Sequence, residues 1–144
     1  MSTEDQRRLA ESFLVPGLHP DDEMEAAAER LGTRSVARLT TALFTEAMDR
    51  RYGDAEPSIV DVQNYARQLA DAYSIGDEAV KPLIVEALIR ASNGEADLLK
   101  GLPALDVMHH QKLIAYDVFN SLGSGEAGLN DFVNETMKLF DEAS

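Results

Sequence analysis

The segment Ala79–Ala91, AVKPLIVEALIRA, constrains the chain most, because no other stretch is apolar on most of its circumference. On a helix of about 3.6 residues per turn, Val80, Leu83, Ile84, Val85, Ala87, Leu88, Ile89 and Ala91 cover roughly two thirds of the circle. The remaining strip holds Glu86 and Arg90 at i,i+4, with the acid on the N-terminal side, the better order for a solvated pair. A helix this apolar needs neighbours on several sides. We therefore expect a helical domain wrapped around it, with its apolar arc either covered within the chain or shared with a second copy as a homodimer.

Helical periodicity recurs along the rest of the chain, and no useful stretch alternates with the period of two that a half-buried strand requires. A first helix over about Thr3–Leu14 stops before Pro16 and Gly17. A second starts after Pro20, with Asp21, Asp22 and Glu23 matching the helix dipole and Met24, Ala27, Ala28 and Leu31 forming a stripe that Gly32 closes. Thr33 is the expected cap of a third, whose apolar positions are Val36, Leu39, Leu43, Phe44, Ala47 and Met48. Ser58 and Asp61 resemble a capping box ahead of a fourth helix with the stripe Val62, Tyr65, Ala66, Leu69, Ala70 and Tyr73.

Ser74–Asp77 reads as a turn, and Pro82 either lets the fifth helix begin near Val80 or puts a short turn ahead of it. Glu95–Pro103 reads as a short helical turn and a loop. A sixth helix spans about Ala104–Leu122, with Val107, Met108, Ala115, Val118, Phe119 and Leu122 as its apolar stripe. Leu129, Phe132, Val133, Thr136, Met137 and Phe140 recur with helical spacing in the last. The expected fold is all-α: one domain over residues 1–144, an orthogonal or up-down bundle of six to seven helices around about 79–91. Residues 1–18 are a candidate N-terminal helical arm. An offset near 45 residues also lays Val60–Ala91 over Leu105–Leu139 as two helical hairpins, in the range of helical repeats.

Charge and composition narrow the function classes. The formal net charge is −13, from 26 acidic against 13 basic residues. Residues 1–30 carry eight acids against three bases, and residues 101–144 seven against two. Such a field repels nucleic acid and anionic membranes and speeds encounter with basic partners. Cysteine is absent, which excludes disulfides, thiolate nucleophiles and cysteine-based zinc sites. No apolar run approaches signal-peptide or membrane-spanning length, so a cytoplasmic protein is expected. There is no glycine-rich phosphate loop, GxSxG or HExxH, and no cofactor is expected.

Three constellations bear on function. Asp106, His110 and Asp117 fall within about 40° of one another on the sixth helix, the spacing of half a divalent-metal site; the alternative is a solvated face. Leu113 lies on that same face, flanked by His109 and Tyr116, and the three would form an exposed interaction edge, unless the helix lies between two neighbours and Leu113 is core. Arg34 and Arg38, after the Leu31-Gly32 turn, invite comparison with a DNA-reading helix, but the turn is short and the surrounding field is negative.

With no visible chemistry and charge at both ends, the expected function is a small acidic, non-enzymatic interaction module of the inhibitor, immunity, chaperone or adaptor type. Its partner is another protein, expected to be basic. The alternative is a small-molecule or metal-binding sensor or enzyme with a pocket between helices, into which Tyr65, Tyr73 and Tyr116 would send their hydroxyls.

Overall fold

Proline and glycine set the corners of the chain, and the helices run between them. The computed structural model describes residues 3–73, 79–123 and 125–142, and among these contains seven α-helices, a single 3-10 turn and no strand. The helices are α1 (Thr3–Leu14), α2 (Asp21–Leu31), α3 (Thr33–Tyr52), α4 (Ile59–Tyr73), α5 (Pro82–Ser92), α6 (Ala104–Leu122) and α7 (Gly125–Glu142), with the 3-10 turn at Ala96–Leu99. The all-helical bundle is as expected. The expected turn at Ser74–Asp77 lies outside the described residues.

The hub is α3 rather than the segment 79–91. This helix packs against α1, α2, α5, α6 and α7, and its Leu39, Leu43 and Ala47 are wholly buried. Polar residues that find internal partners let α3 be surrounded. Thr40 is buried with its hydroxyl donating to the Val36 carbonyl, and the buried Glu46 is bonded by Arg50 one turn on. By contrast α5 buries only Ile84, Val85, Leu88 and Ile89, against α4, α6, the 3-10 turn and the edge of α3, while Leu83 is 78% exposed. Its buried stripe is thus covered within the chain.

Local start signals explain the boundaries. Pro82 is the first residue of α5, where its missing N–H removes no intrahelical bond, and the buried Val80 precedes the helix. The Ser58 hydroxyl accepts the Asp61 N–H at 3.1 Å, half of the expected capping box. Thr33 does not cap α3 but is its first residue; the cap is Gly32, which alone joins α2 to α3. Gly32 holds φ 87° and ψ 155°, a conformation essentially reserved for glycine, so α2 can end and α3 begin within one residue.

The first helix is not an arm. Leu9, Ala10 and Leu14 are buried, and α1 packs against α2, α3, α6 and α7. Nor do the two halves of the apparent repeat pack alike: α4 and α5 lie along each other, whereas α6 and α7 each lie along α3. Phe119 of α6 meets Phe132 of α7 edge-on, with ring centroids 5.7 Å apart. Among the described residues no helix is long and apolar enough to cross a membrane.

Two arginines fasten α3 to α7. Arg38 lies over the Phe140 ring at 4.5 Å and donates to the Phe140 carbonyl at 3.0 Å, which removes it from the surface a DNA-reading helix would need. Arg50 bonds Glu46 and, at 2.8 Å, Asp131 of α7, with its guanidinium 4.8 Å from the Phe132 ring centroid. Burial pushes the Glu46 carboxyl above its ordinary range although Arg50 opposes this. Replacing Arg50→Met should strand a buried carboxylate and destabilise the fold at pH 7 by about 2–4 kcal/mol in urea unfolding. Adding Glu46→Gln should restore part of that loss; a double variant as unstable as the single one would show that the charge pair is not the cause.

Candidate functional site

Asp106, His110 and Asp117 do share one face of α6, but that face is an internal seam. His110 is 1% exposed. Its Nε2 accepts the backbone N–H of Lys81 at 3.0 Å, which places the ring proton on Nδ1, where it is donated to the Asp106 carbonyl at 2.7 Å. Both ring nitrogens are therefore engaged by backbone. The Asp106 carboxylate pairs with Lys81 Nζ at 3.0 Å. The Asp117 carboxylate accepts the hydroxyls of Tyr65 and Tyr73, each at 2.8 Å. The three residues hold α4 and the start of α5 rather than converging on an ion, and among the described residues no group of three or more candidate ligands is placed to hold a metal.

The neighbouring edge is also largely taken up. His109 is exposed and meets the His110 ring edge-on, Leu113 is half-buried against the core, and Tyr116 packs edge-on against Tyr73 with centroids 6.0 Å apart. The reason is that α6 lies between α1, α3 and α5. Its core side is turned from the expected stripe: His110, Gln111 and Ile114 are buried, while Leu122 is exposed. Gln111 tolerates burial because its side-chain oxygen lies 3.4 Å from the Thr41 hydroxyl.

Two of the three tyrosines expected to line a pocket, Tyr65 and Tyr73, thus spend their hydroxyls on Asp117. A polar cleft of about 480 Å³ does open beside Tyr65, lined also by Arg51, Tyr52, Asp61 and Asn64, with the Arg51 guanidinium 3.7 Å from the Tyr65 ring centroid. The Tyr65 hydroxyl is already engaged there.

An exposed acidic arc lies on α2. At 100° per residue, Asp21, Asp22, Glu25 and Glu29 occupy an arc of about 100°, facing away from the buried Met24, Ala27 and Leu31. All four are exposed, and among the described residues none is paired with a cation. Arg30 lies off this arc and is bidentate to Asp5 of α1 at 2.9 Å. The first-turn acids were legible as dipole partners. The i, i+4, i+8 spacing of Asp21, Glu25 and Glu29 was the overlooked signal that they form a face. Beside this face lies an apolar groove of about 460 Å³, lined by Ala28, Glu29, Gly32, Thr33, Val36 and Met108.

Comparison of the chain with known protein families, with curated proteins and with solved structures finds no match.

Two pH dependences follow from the seam. Burial first, then Asp117, raise both tyrosines, with Tyr73 pushed up to about 12. Both phenols stay protonated below the ordinary value of 10.0, and above it the unfolded chain ionises first, so the Tyr73 contribution is lost as pH rises through about 12, and that of Tyr65, raised further, is lost later. Urea unfolding between pH 9 and pH 12 should show this fall, and Tyr65→Phe with Tyr73→Phe should flatten it; an unchanged slope would remove the seam from the explanation.

His110 has the opposite sign. Burial lowers its pKa from 6.5, so its contribution is complete above that value and is lost as pH falls below it. Protection of the Lys81 amide against exchange, relative to its intrinsic rate at each pH, should fall in acid as Nε2 gains a proton; a Lys81 amide equally protected on both sides of that protonation would contradict the assignment.

Proposed function

We propose that this chain is a non-enzymatic interaction module that binds a basic partner protein through the acidic face of α2. The observation that carries this reading is how the charges are divided. Several cations are drawn into contacts within the chain: Arg30 to Asp5, Arg38 and Arg50 to α7, Lys81 to Asp106, and Arg90 to Glu95. The carboxylates of Asp21, Asp22, Glu25 and Glu29 are left in solvent along about 12 Å of one helix. With a Debye length of about 8 Å at physiological salt, successive charges about 6 Å apart along the helix reinforce one another toward an approaching partner. An inhibitor, immunity protein, chaperone or adaptor would use such a face in the same way: attraction raises the encounter rate, and neighbouring apolar surface supplies the selectivity.

The test is retention of partners from lysate on tagged protein at low and high salt, alongside a variant carrying Asp21→Asn, Asp22→Asn, Glu25→Gln and Glu29→Gln. A stoichiometric basic protein should be retained at low salt, be lost at high salt and be lost to the neutralised variant. A partner held equally by both proteins, or indifferent to salt, would count against the α2 face.

A further inference from the structure

We infer that the groove between the α2–α3 turn and α6 seats the apolar anchor of a basic amphipathic helix whose lysines or arginines lie along α2. This deepens the reading of a basic partner and rests on it. Ala28 and Glu29 lie in the last turn of α2, Gly32 joins the two helices, Thr33 opens α3, Val36 is one turn into α3, and Met108 comes from α6. Ala28, Val36 and Met108 are half-buried, so the core covers only part of each. One turn before Met108, Leu105 stands 73% exposed and extends the apolar rim along α6. The groove holds about 460 Å³, enough for one or two large side chains.

Charge complementarity selects the occupant. Among the described residues that line the groove Glu29 is the only charged one, and it is also the end of the acidic arc that continues through Glu25 to Asp22 and Asp21. A helix laid along α2 with its anchor in the groove would therefore meet a carboxylate at each successive turn. Bases at i, i+4 and i+8 on that helix face Glu29, Glu25 and Asp21, with the anchor one turn beyond the first base. A neutral apolar helix would leave four solvated carboxylates beside its edge, and an acidic one would be repelled. The methionine suits a groove that accepts anchors of differing shape. The nearby Lys112 does not compete for the carboxylates: its ammonium lies over the Phe13 ring at 4.9 Å.

The probe is a synthetic peptide of about 18 residues built from Leu, Ala and Lys, long enough to form a helix, with one leucine face and one lysine face. Its control has the same composition scrambled so that neither face exists. The two carry equal charge, so electrostatics alone gives equal affinity. Seating an apolar anchor is worth roughly a tenfold to hundredfold preference.

Fluorescence anisotropy should show the wild-type protein binding the amphipathic peptide at least about tenfold more tightly than the scrambled one. The methyl resonances of Met108 and Val36 should shift with the former and not with the latter. Met108→Gln with Val36→Thr leaves the charge unchanged and should abolish the preference without weakening the scrambled peptide. The peptide contrast on the wild-type protein stands whether or not that variant folds. Equal binding of both peptides, lost when α2 is neutralised, would overturn the groove while leaving the charge-led reading in place. Failure of both peptides to bind would overturn both.

Discussion

Surrounding one 20-residue helix on nearly every side imposes a condition that ordinary amphipathic packing does not: its polar groups must be satisfied from within. Helix α3 meets it at Thr40 and Glu46 with local bonds, while the buried Nε of Arg38 has no hydrogen-bond partner among the described residues. Thr40 donates to the carbonyl four residues back, and Glu46 is held by Arg50 on the next turn. Arg50 then reaches Asp131, so the group that neutralises the buried acid also docks α7. Arg38 repeats the device a few turns earlier, capping the last turn of α7 through the Phe140 carbonyl while its guanidinium covers the ring. Helices α6 and α7 can then lie along α3, and α1 closes over all three.

This explains which parts of the fold were legible in sequence. Boundaries came through almost unchanged at Thr3–Leu14 and Ala104–Leu122, because stop and start chemistry is local: Pro16, Gly17, Pro103 and Gly123 act on their own backbone. The hub did not. Apolar circumference points to Ala79–Ala91, but circumference counts residues that want burial, and the bundle leaves Leu83 at the surface while enclosing Thr40 and Glu46. A polar residue with a partner is indistinguishable, in one sequence, from a polar residue facing water. The same ambiguity turned the face of α6: the face of His110 offered a solvated alternative, yet His110 is buried, and Leu122 read as core, yet it is exposed.

The candidate surfaces divide along the same line. Electrostatic bookkeeping at the level of whole segments already placed excess acid in residues 1–30, but not which carboxylates would keep it. Asp5 is consumed by Arg30, and Glu11 by His19 at 3.1 Å, both within the α1–α2 corner. What survives is the arc on α2, because its opposite side carries Met24, Ala27 and Leu31 into the core and fixes the rotation of the helix. The acidic face is therefore a consequence of core packing, with an orientation as rigid as the core itself.

Asp106, His110 and Asp117 make the corresponding argument for the polar seam. Their shared face was a correct geometrical inference, and carboxylate with imidazole is sound ligand chemistry. The structure puts the same groups to a different use, because α4 packs on α5, and α5 in turn packs on α6 and the edge of α3. Tyr65 and Tyr73 are long enough to reach Asp117, and Lys81, immediately before the proline that opens α5, offers both an N–H for His110 and an ammonium for Asp106. Directed bonds of this kind set the register of α4 and α5 against α6 more sharply than alanine and valine contacts could, since a one-turn slip would leave a buried imidazole nitrogen and two phenols without partners. The residues most suggestive of chemistry are, in this chain, those that make its second pair of helices fit in only one way.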